Sequence, residues 1–270
     1  MRSEHRELNR RWWDERVPIH TASDFYDVEA FRAGASTLRP FEPEEVGDVA
    51  GKRLLHLQSH FGLDTLSWAR RGASVVGLDF SEPAVEAADR LAAETGLDGT
   101  FVAADLYDAV AALGGERFDI VYTGLGALNW LPDLRRWAEV VGSLLADAGF
   151  LYLAEFHPFS DVFADDDMTI VYAYFHDPAG IRLEDGGGTY ADLSASTTHN
   201  ATHEWAHPIS EVIEAVLDEG LQIELFHEHD YTLFPRWPHL VAEPGGIYRQ
   251  PEGAPRLPLM YSLRARRVTT

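Results

Sequence analysis

Apolar positions along the 270-residue chain recur at two spacings, and the changes between them mark the elements. In residues 4–17, Leu8, Trp12 and Trp13 gather on one side of a helical projection with charges elsewhere, which predicts an amphipathic helix. Aromatic residues then continue through His20, Phe25, Tyr26 and Phe31 until Pro40 and Pro43 break the segment. From Lys52 the pattern tightens. Leu54, Leu55 and Leu57 form an apolar run of strand length, a turn ends in Gly62, and Leu63, Leu66 and Ala69 recur at helical spacing before Gly72. Residues 74–78 predict a second buried strand that ends on the carboxylate of Asp79.

Further along, Ser81 or Glu82 caps a helix running to Gly96, and residues 100–104 predict a strand ending on Asp105. Residues 118–123 predict a fourth strand, followed by the glycine-containing stretch 124–132. A helix over 133–145 and a strand over 149–155 come next, leading into His157. Between Pro158 and Trp205 the pattern loosens, with an acidic run at 165–167, three glycines at 186–188 and strand-like pieces at 170–175 and 198–205. A connector this long has work to do in a compact domain. A helix over 210–219, a strand over 222–229, an aromatic and proline-rich stiff loop at 231–239 and a strand over 259–266 finish the chain. The acidic run reads as solvated surface.

Strand, turn, helix and strand over 52–81 make a right-handed crossover, so both strands are parallel and end on one edge. Ligands of such sheets bind beyond the carboxyl ends of the strands, where the 58–62 turn and Asp79 lie. A carboxylate there suits the hydroxyls of a ribose. A dinucleotide also needs a Gly-x-Gly-x-x-Gly turn for its pyrophosphate, and here Gln58 and His60 stand where glycines would be.

These residues resemble motifs I and II of the class I S-adenosylmethionine-dependent methyltransferases. The departures are His56 for the usual acidic residue of the first strand, and Gln58 and His60 for two loop glycines. The resemblance covers residues 51–157 by motif and 209–266 by topology. It implies a doubly wound, seven-stranded, mostly parallel α/β sheet whose last strand is antiparallel. The expected divisions are an N-terminal lid (1–50), a cofactor-binding core (51–157), a cap insertion over the acceptor site (158–208) and a C-terminal completion of the core (209–270).

The implied activity is methyl transfer from S-adenosylmethionine to a small molecule, with S-adenosylhomocysteine as product. The resemblance places Gln58, Ser59 and Gly62 on the methionine side and Asp79 with Phe80 at the ribose. It assigns Asp105 and Leu106 to the adenine, and Thr123 and Gly124 to the methionine portion. Asn129 and Trp130 would approach the reacting methyl group. Trp13, His20 and Tyr26 are candidates from the lid. Asp64 either pairs with the ammonium in place of the carboxylate that His56 lacks, or is a helix-start charge and nothing more. A nucleophile that carries a proton needs a base, and position at the strand edge nominates His157, then Glu155.

Composition narrows the alternatives. A formal charge of −22 argues against nucleic acid, because nothing replaces the phosphate counterions. No run is long enough to span a membrane, and the N-terminal residues have no apolar h-region. The protein is therefore expected to be cytoplasmic, as a monomer or homodimer. One lysine, Lys52, among 22 basic residues reads as the bias of a GC-rich bacterial genome, and zero cysteines exclude disulfides and thiolate metal sites. His203-Glu204-Trp205-Ala206-His207 matches the zinc-protease pattern His-Glu-x-x-His. That pattern works only on a helix, whereas Pro208 and the flanking threonines favour a strand, where Glu204 points away from both histidines. No metal is expected there. A nicotinamide oxidoreductase and a cofactor binder without turnover remain as the other readings.

Overall fold

The computed structural model describes residues 2–164, 166–184 and 186–268; Asp165 of the acidic run lies outside them. The N-terminal segment holds α1 (Arg2–Ala22), α2 (Val28–Arg32) and α3 (Phe41–Val46). The core then alternates β1 (Arg53–Leu57), α4 (Leu63–Arg70), β2 (Ser74–Asp79), α5 (Glu82–Thr95), β3 (Gly99–Ala103) and α6 (Ala109–Ala112). It continues with β4 (Phe118–Thr123), α7 (Leu134–Leu144) and β5 (Leu145–Phe156). The insertion contributes β6 (Ile181–Glu184) and β7 (Ala201–Glu204), which pair with each other. Last come α8 (Ile209–Asp218), β8 (Leu221–His229), β9 (Tyr231–Thr232), β10 (Val241–Glu243), β11 (Ile247–Arg249) and β12 (Met260–Arg267).

Seven strands form the main sheet in the order β3-β2-β1-β4-β5-β12-β8. The first five are parallel, and β12 runs antiparallel to both β5 and β8. The order turns back between β1 and β4, so a crevice opens beyond their carboxyl ends. Both faces of β1 are covered, as its unbroken apolar run requires. Leu55 and Leu57 join a cluster with Trp137, Val141 and Val212, while Leu54 joins one with Val46 and Trp68. Each such buried side chain stabilises the fold by roughly 1.5–3 kcal/mol. His56 is two residues from Leu54, so it shares that face and points toward Tyr122.

The N-terminal helix and the insertion are stitched together over this crevice. Asn9 Nδ2 donates to the His203 carbonyl at 2.7 Å, and the His203 N–H donates back to Asn9 Oδ1 at 2.8 Å. The fully buried Arg16 donates to the His199 and Gly188 carbonyls while lying 3.6 Å over the Trp12 ring. Glu15 accepts from the backbone N–H groups of Thr198 and His199.

Three local expectations change. The first helix passes Pro18 and reaches Ala22, although the proline removes one backbone bond. Its last turn is held by His20, fully buried between His60 and Thr189. Residues 170–175 form no strand beyond a single bridge of Ile170 to Phe163, because no further edge pairs with them. Ile170 and Phe175 stay exposed. The loop at 231–239 belongs to a small antiparallel sheet, β10-β11-β9, whose tight turn at Gly245 and Gly246 takes positive φ at both.

Candidate active site

One cavity of about 640 Å³ lies at the β1–β4 crevice, walled by the sheet edge below and by α1, Tyr190 and the 231–249 sheet above. Of the residues expected to hold the cofactor, Trp13, Tyr26, Gln58, Ser59, Gly62, Asp64, Asp79, Phe80, Asp105, Leu106 and Gly124 line it. Thr123 does not; it is fully buried beneath the edge, its hydroxyl without a partner among the described residues.

The turn after β1 keeps a glycine-type backbone without the glycines. Gln58 has φ 58° and His60 φ 49°, both in the left-handed region that costs an L-residue roughly 1–2 kcal/mol. Three contacts hold the strained residues in place. Gln58 Nε2 donates to the Ala127 carbonyl at 2.9 Å. The His60 N–H donates to Asp79 Oδ2 at 2.8 Å, and His60 Nε2 meets His20 Nδ1 at 3.0 Å. Gly62 is a glycine of necessity: φ is 83°, and a Cβ would sit 2.8 Å from the Phe101 ring.

Asp79 is buried at 7% exposure. Oδ1 accepts from Ser81 N–H at 2.9 Å and Oδ2 from His60 N–H, which leaves each oxygen a second lone pair. Burial pushes its carboxyl up to about 6, against the pull of these hydrogen bonds. Asp105 caps the turn after β3 through Oδ1 and faces Arg6 of α1 at 3.4 Å through Oδ2.

At the other end of the cavity lies a second group of charges. Asp64 accepts from the Thr37 hydroxyl, and Arg39 lies nearby with Nε unpaired among the described residues. Behind them Glu42 is 1% exposed and accepts from the Arg39 N–H and the Tyr122 hydroxyl. Burial, with Asp64 adding repulsion, pushes Glu42 up to about 7; burial raises Asp64 as well. Thr37, Arg39 and Glu42 escaped the sequence reading, because nothing in their spacing ties an N-terminal loop to the α4 start. Gln58 Oε1 is a buried acceptor with no partner among the described residues.

The two carboxyl-edge groups nominated as bases are turned elsewhere. Glu155 collects four backbone N–H groups, from Gly126, Ala127, Leu128 and Phe156. It anchors the glycine-containing loop after β4, and burial pushes it up to about 7. His157 Nδ1 accepts from the Phe159 N–H and Nε2 meets Glu228 at 3.1 Å. Neither lines the cavity, nor does Asn129, whose amide donates to Glu204. Trp130 does line it, pinned by its indole N–H to the Gly126 carbonyl at 2.8 Å.

Two imidazoles line the cavity: His56, bonded through Nδ1 to the Thr65 hydroxyl, and His60, ringed by Trp13, Tyr26 and Phe61. Behind the second, His20 bonds His60 through Nδ1 and Thr189 through Nε2 at 2.7 Å. Burial holds His20 down at about 3 and His60 well below its usual value, so both rings are neutral at pH 7. Tyr190, from the insertion, closes this corner by a hydroxyl contact with Tyr26. His203 lies in β7 as expected, its Nε2 on the Ala179 carbonyl, but β7 ends at Glu204, so Trp205 and His207 follow it outside the strand.

Residues 55–151 match a family model described as a methyltransferase domain. A ubiquinone biosynthesis O-methyltransferase from Ralstonia nicotianae is 30% identical over 156 residues, 56% of this chain and 58% of that protein. The one from Cronobacter sakazakii is 27% identical over 147 residues, 53% of this chain and 55% of that protein. The match thus spans little more than half the length of these relatives. Among solved structures, an S-adenosylmethionine-dependent methyltransferase from Mesorhizobium loti superposes with a TM-score of 0.58 at 20% identity, over 87% of this chain and 100% of that one. Another from Methanosarcina mazei gives 0.56 at 16%, over 86% and 99%.

Proposed function

We propose that the chain is a class I S-adenosylmethionine-dependent methyltransferase acting on a small-molecule acceptor, a reading that its methyltransferase domain and its sheet order support. The observation that carries this reading is the pair of strand-end carboxylates. Asp79 and Asp105 stand side by side on one cavity wall, with lone pairs to spare for a ribose diol and an adenine amino group. The far end suits a zwitterion: Gln58 Oε1 and Asp64 for an ammonium, Arg39 for a carboxylate. A dinucleotide fits poorly. The turn spends the Ser59, His60 and Gly62 N–H groups on Leu78, Asp79 and Ser59, so they cannot cradle a pyrophosphate.

A sulfonium supplies an already activated methyl group, so the protein's part is alignment and exclusion of water. Trp13, Trp130, Tyr26, Tyr190 and Tyr248 wall the remaining space, which suits a flat, largely apolar acceptor. His60, neutral and backed by His20, accepts the acceptor's proton, with Thr189 fixing the far nitrogen. This assigns the base to the turn and the lid instead of His157 or Glu155. The O-methyltransferase name of the matched relatives supports oxygen as the methylated atom. With no helix among the described residues long and apolar enough to cross a membrane, a cytoplasmic small-molecule enzyme is the consistent reading.

The test is transfer of labelled methyl from S-adenosylmethionine into a pool of hydroxylated aromatic metabolites. Labelled product is expected, with His60→Gln reducing turnover by about 10²–10⁴-fold at unchanged S-adenosylhomocysteine affinity. Tight cofactor binding with no product across the pool would leave a binder without turnover.

A further inference from the structure

The zinc-protease arrangement fails because residues 203–207 are not helical, yet one of its histidines is left with an unresolved proton count. His207 is 6% exposed. Its Nε2 lies 2.7 Å from the Leu131 carbonyl, which only accepts, so Nε2 carries a proton. Its Nδ1 lies 2.9 Å from Glu211 Oε2, a carboxylate oxygen four residues on. A neutral imidazole has one N–H and cannot donate to both. Either a further proton, on one partner or the other, or a metal ion must sit between Nδ1 and the carboxylate.

A third donor favours the metal. His176, from the insertion, stacks on His207 with ring centres 5.0 Å apart and brings Nδ1 to 3.7 Å from the same Glu211 oxygen. Ligand atoms of all three residues lie within 4.8 Å of one another. A tetrahedral ion with bonds of about 2.0–2.2 Å separates its ligand atoms by about 3.3–3.6 Å. The 2.9 and 3.7 Å separations bracket that range. We propose that His176, His207 and Glu211 bind a divalent ion of the zinc class, at a site separate from the cofactor cavity.

The donor set of two imidazoles and one carboxylate is of the borderline kind that suits zinc. His207 also has the support that metal-binding histidines ordinarily show, a backbone carbonyl on its other ring nitrogen. On binding, His176 exchanges its 3.1 Å hydrogen bond to the Ala206 carbonyl for the ion and turns its other nitrogen toward solvent, since its side chain is 20% exposed. Glu211 is 28% exposed, which leaves an open edge for a water as fourth ligand. The ion would join the insertion (His176) to α8 (Glu211) and, through His207, to the Leu131 backbone on the cavity wall. It acts there as a fastening.

The experiment is calorimetric titration of the chelator-treated chain with zinc chloride, with bound metal counted by mass spectrometry. One zinc per chain at micromolar affinity or tighter is expected. Glu211→Gln and His176→Ala replace partly exposed side chains, so their folds should survive, and each should weaken binding at least about tenfold. His203→Ala should bind like the parent protein. Absence of saturable one-to-one binding overturns the proposal, as does binding that survives both ligand substitutions or that is lost in His203→Ala.

Discussion

Asp79 illustrates how much one residue carries. Its carboxylate holds the turn through His60, accepts from Ser81 at the start of α5, and keeps lone pairs facing the cavity. Since burial lifts it to about 6, the carboxylate is present above that pH and lost below it. S-adenosylhomocysteine affinity should therefore fall as pH drops through about 6, with the corresponding part of the dependence missing in Asp79→Asn. Stability carries the opposite sign. A carboxyl whose folded pKa is raised stabilises the fold fully below its unfolded value and loses that contribution as pH rises through about 6. Thermal melts should show the stability of the native protein relative to Asp79→Asn declining as pH rises from 3.8 to about 6 and level above that. Asp64 poses a different question. As a ligand contact, its change to Asn weakens S-adenosylhomocysteine binding and alters free-protein stability little. A helix-start charge would give the reverse, a few tenths to ~1 kcal/mol of stability at constant affinity. Its place in the cavity wall beside Arg39 favours the first outcome.

At the scale of elements, the strand–turn–helix–strand unit was legible because burial on both faces leaves a continuous apolar run and a glycine ends the helix. Phe118–Thr123 and the Ser81–Gly96 caps follow the residue pattern directly. What the sequence concealed was conformation that only tertiary contacts enforce. The left-handed Gln58 and His60 are held by Ala127, Asp79 and His20, from parts of the chain 19 to 69 residues away. The role of Glu155 was hidden for a similar reason: position on the strand edge suggested chemistry, but its oxygens turn back onto residues 126–128. Glu155→Ala leaves those N–H groups unpaired and should cost roughly 1–3 kcal/mol in denaturant unfolding. A base would instead lose turnover at unchanged stability. Gly62→Ala puts a Cβ against Phe101 at positive φ and should destabilise by about 2 kcal/mol or more, read in the same unfolding experiment.

Across the whole molecule, the cavity is completed by segments far apart in sequence. α1 and the insertion are sewn to each other by Asn9, Glu15 and Arg16 before either meets the sheet edge. Such pairing of residues nearly 200 positions apart leaves no local signature. An N-terminal helical segment and a long insertion could be read from aromatic content and connector length, but their mutual contacts and Tyr190 could not. The fold and the carboxylate edge were thus readable from local pattern, whereas the aromatic wall of the cavity and the His60–His20 pair were not. The central claim is that the Asp79–Asp105 edge holds a nucleoside whose tail is an amino acid. Calorimetric titration with S-adenosylhomocysteine, with NAD as the control, tests it most directly. One-to-one binding of S-adenosylhomocysteine alone is expected, weakened by ~1.5–3 kcal/mol in Asp79→Ala and by less in Asp105→Ala. Equal affinity in both variants with the fold intact, or preference for NAD, would contradict it.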